Sequence, residues 1–246
     1  MGGASCLKGE ELASYIDHTL LDPAATAARV EQLCREAVEH EFACVCINLT
    51  HLPLVQRGAF VRSSGEPLRV CVVVGFPLGA TSSEVKAFEA RQAVAGGADE
   101  VDMVAQIGSL VAGDYDEVRK DVAAVVYGAH SASEVADKRP LVKVILETSL
   151  LTNEQIEVGC RAAVDGGADF VKTSTGFAKG GGGATVDHVA LMAAAVGQHC
   201  AVKASGGIRT AEAARAMIAA GASRIGTSSG IAIVAESIES KNTASY

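Results

Sequence analysis

The feature that most constrains this chain is a run of short, β-branched apolar segments spaced by helix-length stretches. Residues 43–48, 68–76, 99–104, 141–146, 169–174, 200–206 and 223–228 each read as a buried strand bounded by Gly or Asp, and 13–20 is a weaker eighth. Apolar runs that do not alternate indicate strands covered on both faces, as in parallel sheets. The intervening segments carry helix signals. Thr81 and Glu84 have capping-box spacing ahead of a helix ending at Gly96-Gly97, and Thr152 and Gln155 open another that ends at Gly166-Gly167. Thr210 opens a third, ending at Gly221, and Asp22-Pro23 sets Pro near the start of a helix through Val38. Eight strand–helix alternations in 246 residues predict an α/β chain folded as a closed (β/α)8 TIM barrel. A doubly wound open sheet is the alternative, and no GxGxxG follows the first strand to support it.

A faint internal repeat sharpens this. GGADEVDMV (96–104), GGADFVKTS (166–174) and AGASRIGTS (220–228) share one core. Five residues past the second small residue's Gly stand Asp102, Lys172 and Gly226. One unit is reused: helix, Gly terminator, strand, then a functional position near the strand's C-terminal end. The expected organisation is a single domain over 1–246, with a short N-terminal extension and a flexible tail from about 236.

Active sites of such barrels sit where strand C-termini meet loops. Lys143, Lys172 and Lys203 all lie within strand runs, and Lys is almost never fully buried unpaired. Each could pair with an acid as a structural element. Three converging on one barrel mouth point instead to an amine whose charge is disfavoured by its neighbours, a nucleophile for carbonyl carbon. Asp102 is then placed to shuttle protons. Thr173 joins Lys143 as a polar strand-end candidate for substrate contact. The segment Lys203–Thr210 and the segment Gly226–Gly230 follow the seventh and eighth strands, where barrels hold phosphate on backbone N–H groups. Backbone N–H groups and Ser hydroxyls of these segments form the candidate cradle, with Arg209 adding charge from its rim. The run Lys179–Gly183 lacks the GK[ST] of a P-loop and reads as a loop over the mouth.

Charge and cysteines narrow the partners. A net charge of −8 argues against nucleic acid or an anionic membrane as main partner. No apolar stretch approaches bilayer length. Seven Cys without a CxxC pair suit reduced thiols in a cytoplasmic protein. His18, His51 and His188 show no metal-ligand spacing, so no metal is expected.

IDHTLLDP, VVVGFPLGATSSEVKAFEA, ADEVDMV, KVILETSLLT, ADFVKTSTGF, KASGGIRT and IGTSSG occur in this order over residues 10–235. Together they resemble deoxyribose-phosphate aldolases, class I aldolases on a TIM barrel. The resemblance implies reversible cleavage of 2-deoxy-D-ribose 5-phosphate to D-glyceraldehyde 3-phosphate and acetaldehyde, without cofactor. It implies Lys172 as Schiff-base lysine, Lys203 as the lysine that lowers its pKa, and Asp102 as proton relay. It sets the phosphate cradle at Gly176, Gly206, Gly207, Arg209, Gly226, Ser228 and Ser229, and Thr19, Leu20 and Cys46 near the substrate. A C-terminal Tyr246 matches the tyrosine that some members use as a proton carrier. A homodimer or homotetramer is implied. The Gly176–Thr185 loop is longer and richer in Gly than the family pattern. Two rivals stay open: a phosphosugar isomerase or epimerase with Asp102 as base, and a catalytically idle barrel that senses phosphosugars.

Overall fold

A computed structural model describes residues 9–132, 139–180 and 182–242. Eight strands close into a parallel barrel in chain order. They are β1 (Ile16–Leu20), β2 (Cys44–Ile47), β3 (Val70–Val74), β4 (Glu100–Val104), β5 (Leu141–Ile145), β6 (Phe170–Lys172), β7 (Ala201–Ser205) and β8 (Arg224–Thr227). Around them run α1 (Gly9–Ala13), α2 (Ala27–Glu39), α3 (Leu52–Gly58), α4 (Ser83–Ala95), α5 (Ile107–Ala112), α6 (Tyr115–Ser131), α7 (Asn153–Asp165), α8 (Val186–Val196), α9 (Ala211–Ala219) and α10 (Gly230–Asn242). The fold is therefore the expected TIM barrel, and the weaker first run forms its first strand.

The two faces of each strand differ, because successive side chains point to opposite sides. Val45, Val72, Val101, Met103, Val144 and Ile225 face outward into one core shared with the helices. Each fully buried side chain of this kind contributes about 1.5–3 kcal/mol. The inner faces carry a second, smaller set of Cys44, Cys46, Cys71 and Val73. Charged residues fill the rest: Asp17, Glu100, Asp102, Lys143, Lys172 and Lys203, all buried. Register aligns them, with Asp102 opposite Lys143, Lys172 opposite Lys203 and Lys203 opposite Arg224.

The repeat has a structural meaning. Gly97, Gly167 and Gly221 take φ of 99°, 90° and 113°, where a side chain would be strained, and turn three helices into β4, β6 and β8. Asp102, Lys172 and Gly226 follow at one offset on the inner wall. A Cβ on Gly226 would lie 3.0 Å from Lys203 Cε, so the missing side chain leaves room for the lysine.

Two helix starts differ from expectation. Pro23 lies in a turn, not in α2, whose N-cap is Thr26. Asp22 makes that turn by accepting from Ala24 N–H at 2.9 Å through its side chain and from Ala25 N–H at 3.0 Å through its carbonyl. The Thr81–Glu84 box does not form, because α4 is capped one residue later by Ser82 without a side-chain bond. Thr152 and Gln155 do form the full box.

Candidate active site

A buried charge cluster fills the barrel's interior below its C-terminal mouth. Its hub is Asp102 on β4. Lys143 Nζ donates to Asp102 Oδ1 at 2.9 Å, while Lys172 and Lys203 each donate to Oδ2 at 2.7 Å. A second tier lies beneath. Lys143 also meets Glu100 at 2.5 Å, Lys203 meets Asp17 at 2.5 Å, and Arg224 bridges Asp17 at 2.6 Å and Glu100 at 3.2 Å. Burial alone pushes the Asp102 carboxyl up, but Lys143, Lys172 and Lys203 outweigh it and hold it well below its ordinary value. Burial opposes the charge of Lys203, and the Asp102 and Asp17 carboxylates outweigh that, so its ammonium is held well above the usual range. Repulsion between two bare ammonium groups, expected from sequence, is thus offset in the resting site by shared carboxylates.

Above the cluster opens a cavity of about 500 Å³. Lys172 is the one lysine that lines it among the described residues. Thr19 and Leu20 from the end of β1 form one wall. Gly206, Gly207 and Arg209, after β7, face Gly226, Ser228 and Ser229 at the end of β8 and beyond it, and Gly176 completes the ring. These nine positions, expected from sequence for substrate and phosphate contact, all line this cavity. A Cβ on Gly206 (φ +90°) would sit 2.9 Å from Gly183 Cα, so the cradle admits no larger residue there. The glycine loop's exit is tied to the cradle, since Ala184 N–H donates to the Ser205 and Gly206 carbonyls at 3.1 and 3.0 Å.

Four predicted residues lie elsewhere. Lys143 is fully buried beneath Asp102 and does not line the cavity. Thr173 is buried between strands, its hydroxyl donating to the Ser205 carbonyl at 2.9 Å and accepting from Ser205 N–H. Cys46 is buried on the inner wall beside the charge cluster and does not line the cavity, its thiol drawn down by a hydrogen bond with Cys71 against the penalty of burial. Tyr246 lies outside the described residues.

Sequence reasoning did not assign Glu100, Arg224 or the contacts of Asp17. The signal was present as spacing: Glu100 lies two before Asp102 and Arg224 two before Gly226, so each pair shares a strand face. Reading only the strand ends overlooked the tier below. Cys46, Cys71 and Asp102 offer three donors within 4.8 Å, as do Asp17, Cys44 and Glu100. The carboxylates of both sets already accept from Lys or Arg, which a metal cation would have to displace. His18 Nε2 pairs with Glu36 at 2.8 Å.

The arrangement can hold an anion at the cradle and present an amine to a carbonyl at the cavity floor. The model of the DeoC/LacD family aldolases matches residues 12–236. The chain belongs to the DeoC/LacD aldolase family. It is similar to the deoxyribose-phosphate aldolase of Brevibacillus brevis, 52% identical over 220 residues covering 89% of this chain and 93% of the relative. The deoxyribose-phosphate aldolase of Clostridium novyi is also 52% identical, over 94% of this chain and 98% of its own. Among solved structures, the tetrameric deoxyribose phosphate aldolase of Aeropyrum pernix superposes with a TM-score of 0.80 at 36% identity, covering 95% of this chain and 93% of its own. Membership in an aldolase family assigns carbon–carbon lyase chemistry to a barrel of this form.

Proposed function

We propose that this chain is a class I aldolase that reversibly cleaves 2-deoxy-D-ribose 5-phosphate to D-glyceraldehyde 3-phosphate and acetaldehyde, with Lys172 as Schiff-base nucleophile. The observation that carries the reading is the position of Lys172, a cavity-lining lysine 2.7 Å from Asp102 and across from a glycine, serine and arginine cradle. Its relatives carry the same activity in their names.

The charge pattern favours Lys172 over its neighbours. Lys203 and Lys143 each have two carboxylate partners, while Lys172 has Asp102 alone and shares it. Three carboxylates (Asp17, Glu100, Asp102) face four cations (Lys143, Lys172, Lys203, Arg224). Lys172, the lysine with a single, shared carboxylate partner, is the one whose amine stands beside the cavity.

The amine adds to the aldehyde carbon, and the carbinolamine loses water to give an iminium. Asp102, with Lys203 behind it, carries the protons between nitrogen and departing oxygen. The C2–C3 bond then breaks as the C3 hydroxyl loses its proton, and the bonding pair moves into the iminium to form an enamine. Glyceraldehyde 3-phosphate leaves. Protonation at carbon and hydrolysis release acetaldehyde and restore the amine. No cofactor or metal enters this scheme. The phosphate rests on Gly176, Gly206, Gly207, Gly226, Ser228, Ser229 and Arg209, and Tyr246 serves as a further proton carrier. Lys143, Thr173 and Cys46 do not line the cavity and act by supporting Asp102 and the strand ends. The working unit is a single-domain barrel in a cytoplasmic homodimer or homotetramer. No helix among the described residues is long and apolar enough to cross a membrane.

Borohydride added with substrate tests the reading. Reduction should leave a two-carbon or sugar-phosphate adduct on Lys172, read by peptide mass analysis. Turnover without an adduct, or an adduct on another lysine, would overturn it.

A further inference from the structure

Glu147, in the turn after β5, is a buried acid that the mechanism above does not use. Leu146 N–H donates to the Lys172 carbonyl at 3.0 Å and Thr148 N–H to the Thr173 carbonyl at 2.9 Å, so the β5–β6 ladder continues on both sides of it. Between these bonds Glu147 takes φ 61° and ψ 61°, the left-handed region. A non-glycine residue is strained there. The side chain adds a second cost, because Glu147 is 2% exposed and burying a polar group is expensive. A glycine would satisfy the turn with neither cost.

One oxygen of the carboxyl group is spent on a neighbouring loop, while Oε1 is buried without a hydrogen-bond partner. Oε2 accepts from Thr175 N–H at 3.0 Å and also from the Thr175 hydroxyl. Thr175 Oγ1 in turn accepts from Phe177 N–H at 3.0 Å. This relay fixes the first turn of the β6–α8 connection, where Gly176 takes φ +83°. Thr175, Gly176 and Phe177 all line the cavity, three to five residues beyond Lys172. The Phe177 ring meets Phe76 edge-on at 5.2 Å, closing the wall that this turn begins.

We propose that Glu147 is a positioning residue: it holds Thr175–Phe177 in the shape that receives the phosphorylated end of the substrate, and takes no part in the chemistry at Lys172. This rests on the aldolase reading for its substrate. The fold tolerates the strain at Glu147 because one of its oxygens accepts from two donors of one residue at once, a grip that an ionised acceptor makes firmer than a neutral one.

The test compares Glu147→Gly, which also relieves the backbone strain, with Glu147→Gln, which keeps an acceptor oxygen. Glu147→Gly should raise KM for deoxyribose 5-phosphate about tenfold, the size of one charge-assisted hydrogen bond, with kcat little changed. Glu147→Gln should recover much of that loss. Borohydride trapping of acetaldehyde alone on Lys172, which engages no phosphate contact, should proceed as in the wild type. Inorganic phosphate, titrated directly, should bind the Gly variant more weakly. An unchanged KM and phosphate affinity in a folded Gly variant would overturn the proposal. So would a matching fall in acetaldehyde trapping, which would place the effect at Lys172 or in the fold at large. If wild-type protein gives no adduct at all, the aldolase reading fails, and the phosphate titration still decides the role of Glu147.

Discussion

Two regions of this molecule bury a lysine against an aspartate, and only one of them meets a cavity. At the centre of the barrel, Asp102 gathers Lys143, Lys172 and Lys203, and Lys172 opens to the cavity. Between α4 and α6, Lys86 Nζ meets Asp121 Oδ2 at 2.7 Å and the Val104 carbonyl at 2.9 Å, both side chains fully buried. Ser83 donates to the other oxygen of Asp121 at 2.8 Å. This outer pair is one to one and closed. It clamps two helices to the end of β4, two residues past Asp102. A buried lysine is therefore not by itself a mark of catalysis. What separates the regions is access and charge count: the inner cluster has one cation in excess and one member facing the cavity, and the outer pair has neither.

The largest effect that would sharpen this contrast is on rate. Lys172→Met should cut turnover by at least about 10⁴-fold, the order expected on removing a covalent nucleophile. Lys86→Met, assayed where it is still folded, should keep most of the specific activity. Comparable losses in both would erase the distinction. Asp102→Asn comes next: turnover should fall by about 10²–10⁴-fold from loss of the proton relay. The melting temperature should fall too, because three ammonium groups then lose a shared counter-charge. On stability, Lys86→Met should cost about 3–5 kcal/mol by leaving Asp121 buried and unpaired, and Lys86→Met/Asp121→Leu should recover most of it. Denaturant unfolding reads both.

The smallest effect is in alkali. Burial outweighs the attraction of Asp121 and draws Lys86 below its ordinary value. Approaching pH 10.5 from below, the unfolded chain then holds a proton that the folded pair has begun to lose, so this pair contributes stability that rises with pH. Lys203 has the opposite sign. Its raised value keeps its contribution intact below 10.5 and loses it only above, as pH passes the raised value. Unfolding at pH 8 and pH 10 should show wild type gaining on the Lys86→Met/Asp121→Leu double variant. No relative gain would mean that Asp121 holds Lys86 fully charged.

Much of this was legible in the chain because the relevant signals are local. Strand runs, helix-stopping glycines and the offset shared by Asp102, Lys172 and Gly226 depend on neighbours within one repeat. The glycines and serines that line the cavity after β7 and β8 could be read for the same reason, standing directly after two predicted strands. Lys86 could not: it sits in a helix whose polar and apolar residues show no clear stripe, and nothing nearby in sequence marks Asp121 as its partner. Arg224 and Glu100 were hidden likewise, being 124 positions apart yet 3.2 Å from each other.

The sequence by itself determined the barrel, the order of its strands and the residue types at its mouth, because periodicity and turn chemistry act over a few residues. Only the tertiary structure decided which buried lysine meets the cavity, how carboxylates and cations are shared, and that Lys143, Thr173 and Cys46 are buried and do not line it. Those outcomes depend on barrel closure, which brings residues from β1, β4, β5, β6, β7 and β8 within a hydrogen bond of one another, where burial makes each charge answer to its neighbours.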